Sequence, residues 1–171
     1  LLAQRVTVRE STVSLPTYAY EQAFVPSAGS AVGPYPGLDR DRVGPPEQRT
    51  YRLIALENRL LKLTILPQLG GRLYEVIYKP TGHNELYRNP VVKPAPFGLR
   101  GWWLGVGGTE WAAPTDEHGL MEYLPWDAAV RREGNGGATV IVSATDSLTG
   151  MRVTVDVLGR HATIPGVLSF G

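Results

Sequence analysis

An antiparallel β-sandwich is the fold class this sequence predicts, and three observations predict it. Short apolar runs alternate with polar residues at a period of two, no window holds a 3.6-residue period over three turns, and glycine and proline punctuate the runs. The 20 glycines and 14 prolines among 171 residues make about a fifth of the chain, high for a helical protein and below the level at which disorder is the natural reading. With 43% hydrophobic residues, the chain has the size of one domain and enough apolar surface for a core.

Taken in order, Val6 and Val8, then Val13 and Leu15, alternate as a half-buried strand does, with a shift of face near Ser11 that predicts a bulge or break. Pro16 to Arg49 has neither period. It reads as an arm over the sheet, because Tyr18, Tyr20, Phe24 and Tyr35 need something to pack on. Residues 1–50 are therefore expected to form an N-terminal strand and irregular arm, and residues 51–171 the sandwich itself. In "LLKLTIL", Leu61, Leu63 and Ile65 share one face and Leu60 and Leu66 the other, which predicts a strand buried on both sides. "PQLGG" turns the chain, with Gly70 and Gly71 free to take positive φ, and "RLYEVIY" returns. "KPTGHN" turns it again before a short "ELY". Pro90 to Trp126 is unpatterned and is expected to be a long loop region. "PWDAAVRRE" fits a short helix or a strand, "GNGG" is a turn, and "ATVIVSA", "DSLTG" and "MRVTVDV" continue as a meander. A final strand leads into "GRHATIPGVLSFG". Sheets needing further strands would take them from more sequence or from a second copy, so self-association through open edges is expected.

Composition narrows the partners. Seventeen basic and sixteen acidic side chains leave a formal charge of +1 with the signs interspersed, which excludes the footprint of a nucleic-acid or anionic-membrane binder. The absence of cysteine excludes disulfides, thiolate metal sites and a cysteine nucleophile, and leaves the compartment open. No apolar run is long enough to span a bilayer as a helix. Leu1-Leu2-Ala3, without an initial methionine, reads as the tail of a cleaved signal peptide or as an arbitrary boundary, which tips the expectation towards secretion or the periplasm.

The segment "YRLIALENRLLKLTILPQLGGRLYEVIYKPTGHNELYRN", followed by "YRNPVVKPAPFGLRGWW" and "GGTEW", resembles galactose-mutarotase-like proteins, and among them a bacterial family of mutarotase-like domains of unknown function often joined to tetratricopeptide repeats. The resemblance covers Tyr51 to Arg160. It implies a β-supersandwich with a sugar on the concave face of a large sheet, of which this chain would be the N-terminal part.

Sugar recognition asks for a flat apolar platform and for planar carboxylate, amide or guanidinium groups to meet vicinal hydroxyls. All four tryptophans, Trp102, Trp103, Trp111 and Trp126, fall in one segment with Arg100, Glu110, Asp116, Glu117, His118 and Glu122. A single tryptophan under a long loop packs as core, whereas several together favour a platform, so Trp102, Trp103, Trp111 and Arg100 are expected to bind substrate. Glu110, between Gly108 and Trp111, is either solvated at a loop tip or hydrogen-bonded towards a ligand. Asp116 and Glu117 read as surface charges, and His118 as a general acid or a loop residue without chemistry. Arg72 and Arg88, in motifs shared with the resembled family, either lie along a strand or reach the concave face.

His118 and Glu122 would meet on a helix, but Gly119 and the missing helix period argue against a metal pair; calcium at the carboxylates stays open and no cofactor is expected. "GVGG" lacks the ending of a phosphate loop. Three functions compete. The first is a carbohydrate-binding domain. The second is an aldose epimerase or glycoside hydrolase at the same site, with Glu110 and His118 as the catalytic pair; the resembled family's base, however, comes from beyond the matched segment. The third is a non-catalytic domain that docks a protein partner or a second copy.

Overall fold

The computed structural model describes residues 5–26, 35–114 and 120–159, and among them there is no α-helix. In chain order the strands are β1 (Thr7–Ala19), β2 (Phe24–Val25), β3 (Gly37–Leu38), β4 (Gly44–Glu57), β5 (Leu61–Leu66), β6 (Arg72–Tyr78), β7 (His83–Asn84), β8 (Arg88–Ala95), β9 (Trp103–Gly107), β10 (Asp127–Arg132), β11 (Ala138–Thr145) and β12 (Arg152–Gly159). The first sheet runs β7-β6-β5-β4-β1-β8-β9, the second β10-β11-β12, and β2 pairs with β3 alone. One junction departs from the antiparallel expectation. β1 and β8 run parallel, with Thr17 opposite Val92, so the large sheet is mixed.

Chain connectivity forces that sheet to curl. Between β7 and β8 lie only Glu85, Leu86 and Tyr87, which can reach about 14 Å when fully extended. In a flat sheet the two strands would stand five spacings apart, about 24 Å. The curl is closed by bonds from the far edge: Thr109 N–H donates to Leu73 O at 2.9 Å, and Gly108 N–H to Tyr87 O at 2.8 Å.

The two faces of the curled sheet cover separate cores. On one face Ile54, Leu56 and Ile65 pack against Val140, Val142, Val155 and Val157 of the small sheet, which makes the sandwich. On the other, Leu15, Tyr51, Leu53, Leu66, Tyr74, Leu104 and Val106 fill the hollow of the curl. The pattern in β1 follows from this. Val8 packs on the first core, Val13 and Leu15 on the second, and the register against β4 runs unbroken through Ser11, its one shift lying between Tyr18 and Ala19. The expected bulge near Ser11 is thus a change in which face is covered, not a break in the strand.

The segment expected as an arm is sheet at both ends. β1 runs on to Ala19 and β4 starts at Gly44, with Pro16 opposite Gln48 and Tyr18 opposite Pro46. Proline is tolerated because this stretch of β4 lies before its pairing with β5, which starts at Ile54. The middle of the segment does cover the sheet. Tyr20 and Phe24 pack on Trp102, with ring centroids 6.4 and 5.4 Å away, and the Tyr35 hydroxyl donates to Asp146 Oδ2 at 3.0 Å. Within the expected loop from Pro90 to Trp126, most of β8 and all of β9 are strands; Pro90, Pro94, Gly105 and Gly107 hide their alternation. The ambiguous "DAAVRR" is a strand.

Gly108 shows how tight the closure is. It sits at φ +72°, and a Cβ there would lie 2.5 Å from Leu73 O and 2.9 Å from Tyr74 Cα. Gly82 has φ +70° with nothing within 4 Å. Gly108→Ala is therefore expected to cost about 3 kcal/mol or more, against about 1 kcal/mol for Gly82→Ala. Urea denaturation of the two variants checks this, and equal midpoints would refute the closure.

Candidate functional site

Arg72 opens β6 directly after the glycine turn and is 1% exposed. Its guanidinium donates to three carbonyls from three segments: Leu69 O at 2.6 Å, Gly107 O at 2.9 Å and Glu122 O at 3.2 Å. The turn is glycine because chain crosses it closely, a Cβ on Gly70 lying 2.7 Å from Glu122 Cα and one on Gly71 2.8 Å from the Trp126 ring. Burial lowers the Arg72 pKa, opposed by the charges of Glu122 and then Glu110. An arginine so placed fastens the interior, its N–H groups committed to backbone carbonyls.

Arg100 is also interior. It pairs with Glu122 Oε1 at 2.6 Å, donates to Trp102 O and Leu120 O, both at 3.2 Å, and lies 4.0 Å over the Trp102 ring. Glu122 Oε1 also accepts Leu104 N–H at 3.1 Å. Its Oε2 is buried without a hydrogen-bond partner. Burial pushes the Glu122 carboxyl up to about 7, outweighing the Arg100 charge and the Leu104 N–H.

The expected platform of three tryptophans is not what the fold builds. Trp102 is buried in the hollow with its indole N–H on Pro36 O at 2.8 Å. Trp111 is buried in the inter-sheet core with its N–H on Gly71 O at 3.0 Å. Trp126 packs in that same core. A buried indole that donates to a backbone carbonyl is core packing with its polar handle satisfied. Trp103 alone is left half-exposed, because residues alternate along β9 and its neighbours Trp102 and Leu104 face the hollow. Its indole N–H donates to Glu110 Oε2 at 2.5 Å. Together with Ala95, Pro96 and Phe97 these two residues line a 360 Å³ pocket. His118, Asp116 and Glu117 lie outside the described residues, so a Glu110–His118 pair has no described geometry.

Arg88 stands elsewhere, at the bridge between β7 and β8. Its guanidinium pairs with Glu75 Oε1 at 2.5 Å and lies 5.9 Å from the centre of the Tyr74 ring. Glu75 Oε2 accepts from Thr64 Oγ1 at 2.7 Å and from Lys62 Nζ at 3.2 Å. Burial alone would raise the Glu75 pKa, but Thr64, Lys62 and Arg88 together hold it below its ordinary value. Beside this network opens a 610 Å³ groove at the mouth of the curl, lined among others by Leu15, Tyr74, Asn84, Tyr87 and Arg88. Glu75 and Thr64 were overlooked in the sequence. The signal was there, an acid inside the apolar run "RLYEVIY" and a threonine inside "LLKLTIL", which strand pairing sets opposite each other. Among the described residues no three acids or imidazoles gather as a metal site.

Two measurements follow. Trp111→Ala is expected to lower stability by about 3–5 kcal/mol, read by urea denaturation; a loss below about 1 kcal/mol would contradict its core role. Glu122 imposes a pH dependence. The folded state holds its proton at about 7 against an ordinary 4.5, so its stabilising contribution is complete below pH 4.5 and lost as pH rises through 7, on the order of 3 kcal/mol. The stability difference between wild type and Glu122→Gln should therefore fall between pH 4.5 and 7 and level off above. A flat or rising difference would show that Glu122 folds already ionised.

Two comparisons bear on this fold. The profile of a family described as Domain of unknown function (DUF5107) matches residues 29–163. Among solved structures, a TPR-domain containing protein from Parabacteroides distasonis ATCC 8503 superposes with a TM-score of 0.76 at 23% identity, over 92% of this chain and 27% of that one. The likeness is one of fold, and the chain spans little more than a quarter of that protein's length. Since the family match runs from the covering arm through the last described strand, the chain belongs to the family Domain of unknown function (DUF5107).

Proposed function

We propose that this is a galactose-mutarotase-like domain that binds a neutral carbohydrate in the groove beside Arg88. The observation that carries the reading is the pairing of Arg88 with Glu75 next to two tyrosine rings. A groove of 610 Å³ is of the size that holds a small ligand. The Arg88 guanidinium is paired with the Glu75 carboxylate behind the groove's lining, so it presents planar N–H donors with a counter-charge already in place. That favours a polyol over an anion. The exposed Tyr87 ring offers an apolar face to a pyranose, and Asn84 adds an amide.

Binding is favoured over turnover at this groove. Glu75 lies outside the groove's lining, and its two oxygens are taken by Lys62, Thr64 and Arg88, which leaves it neither a proton to give as an acid nor a free oxygen to take one as a base. A mutarotase-like module fused to TPR repeats accords with the Parabacteroides distasonis likeness, in which a region like this one forms a minor part of a longer chain.

The test is calorimetry of the protein against a panel of neutral mono- and disaccharides, with Arg88→Ala and Glu75→Gln beside the wild type. The Arg88 side chain is 48% exposed, so its removal should spare the fold. Saturable binding is expected, weakened at least tenfold in Arg88→Ala. Equal affinity in wild type and both variants would remove this groove as the sugar site.

A further inference from the structure

A second groove repeats the chemistry of the first. It measures 440 Å³ and is lined among others by Glu21, Phe24, Arg49, Gln68 and Tyr123. Glu21 matches the Arg49 guanidinium with both oxygens, Nη1 to Oε1 at 2.5 Å and Nη2 to Oε2 at 3.2 Å, as Glu75 matches Arg88. Gln68 Oε1 accepts Arg52 N–H. In the first groove Asn84 Oδ1 accepts Val76 N–H at 3.0 Å and Leu86 N–H at 3.3 Å. Each amide is thus anchored by its oxygen, and no described residue takes its NH2 group. The half-buried Phe24 and Tyr123 rings, 5.2 Å apart, give this groove the apolar wall that Tyr87 gives the other.

The two grooves are neighbours on one face of the sheet. Leu15 lines the first and Arg49 the second, and they stand directly opposite each other across β1 and β4; Val13 and Tyr51 are opposed in the same way. Opposed residues of an antiparallel pair lie about 5 Å apart with their side chains on the same face. We infer that the ligand is a neutral linear oligosaccharide, one unit of which occupies the Arg88 groove and another the Arg49 groove. The inference rests on the sugar reading of the Arg88 groove. Glu21 supplies acceptors, and Arg49 and Gln68 supply N–H donors, the two kinds of partner that hydroxyls take. An anionic saccharide gains little, because each guanidinium already has its carboxylate. Joining two contacts in one chain makes the second intramolecular, so affinity grows with length without any new site.

Calorimetry with neutral gluco-, manno-, xylo- and galacto-oligosaccharides of one to five units tests the inference. The Arg49 and Glu21 side chains are 31% and 48% exposed, so Arg49→Ala should spare the fold. Gln68→Glu keeps the acceptor for Arg52 N–H and removes the NH2 donors. Affinity is expected to rise at least tenfold from the monosaccharide to the best oligosaccharide. Both variants should reduce the oligosaccharide to the affinity of the monosaccharide, whose remaining binding shows that the fold is kept, while Arg88→Ala should weaken every length. Affinity that does not grow with length, with Arg88→Ala still weakened, overturns the inference and leaves the Arg88 groove as a monosaccharide site. Growth with length that survives both Arg49→Ala and Gln68→Glu overturns it as well. Absence of saturable binding by every saccharide overturns the sugar reading and the inference together.

Discussion

One buried guanidinium holds together the parts on which every surface feature depends. Arg72 ties the glycine turn at Leu69, the end of β9 at Gly107 and the returning chain at Glu122. Burying a charge this deeply is costly unless its donors are satisfied and a counter-charge is near, and here both conditions hold. Three carbonyls take its N–H groups, while Glu122 and Glu110 supply the field. Arg100 and the Glu122 carboxylate extend the same polar thread into the aromatic cluster of Trp102 and Tyr123. Where this thread runs the chain is fastened from within. Arg88 and Trp103 lie beside it, positioned by strands that Arg72 secures.

The second organising constraint is that one curled sheet serves two interiors. β1, β4, β5 and β6 each send residues to both, and the stretches Leu53–Leu56 and Thr64–Leu66 are buried on both faces. Polar residues that occur there are correspondingly committed. Thr17 and Tyr51 bond each other at 2.8 Å, and Thr64 bonds Glu75. The proposed sugar site accordingly lies where cover is incomplete, at the mouth of the curl.

Strand alternation made much of this legible in advance. The hairpin of β5 and β6, the hairpin of β11 and β12 and the two-faced burial of "LLKLTIL" all follow from apolar spacing, whereas "DAAVRR" is decided only by its pairing with β11. What alternation cannot carry is cover supplied from a distance. β8 and β9 escaped notice because Pro90, Pro94, Gly105 and Gly107 answer to the parallel junction and the closure of the curl, which are long-range facts. The same holds for the tryptophans. Four indoles in one segment look alike in sequence, yet parity along β9 sends Trp102 inward and Trp103 outward, and the glycine turn draws Trp111 and Trp126 into the core. Arg72 reads in sequence as lying along a strand or reaching the concave face, and Arg100 as a sugar ligand; only the assembled carbonyls around them reveal why they are inside. Glu110, read in sequence as solvated at a loop tip or bonded towards a ligand, accepts the Trp103 indole N–H.

The three residues that join β7 to β8 have an implication for ligand choice. They bridge a gap that the curl has brought within their reach, and Tyr87 and the adjoining Arg88 line the groove beside it. The diameter of the mouth is thus gauged by a residue count in the backbone rather than by flexible side chains. Relatives with one or two residues more in this bridge would have a looser noose and could admit a longer or branched guest, while a shorter bridge would draw it shut. Selectivity by size would then evolve through insertion and deletion at a single point, leaving the rest of the sheet untouched.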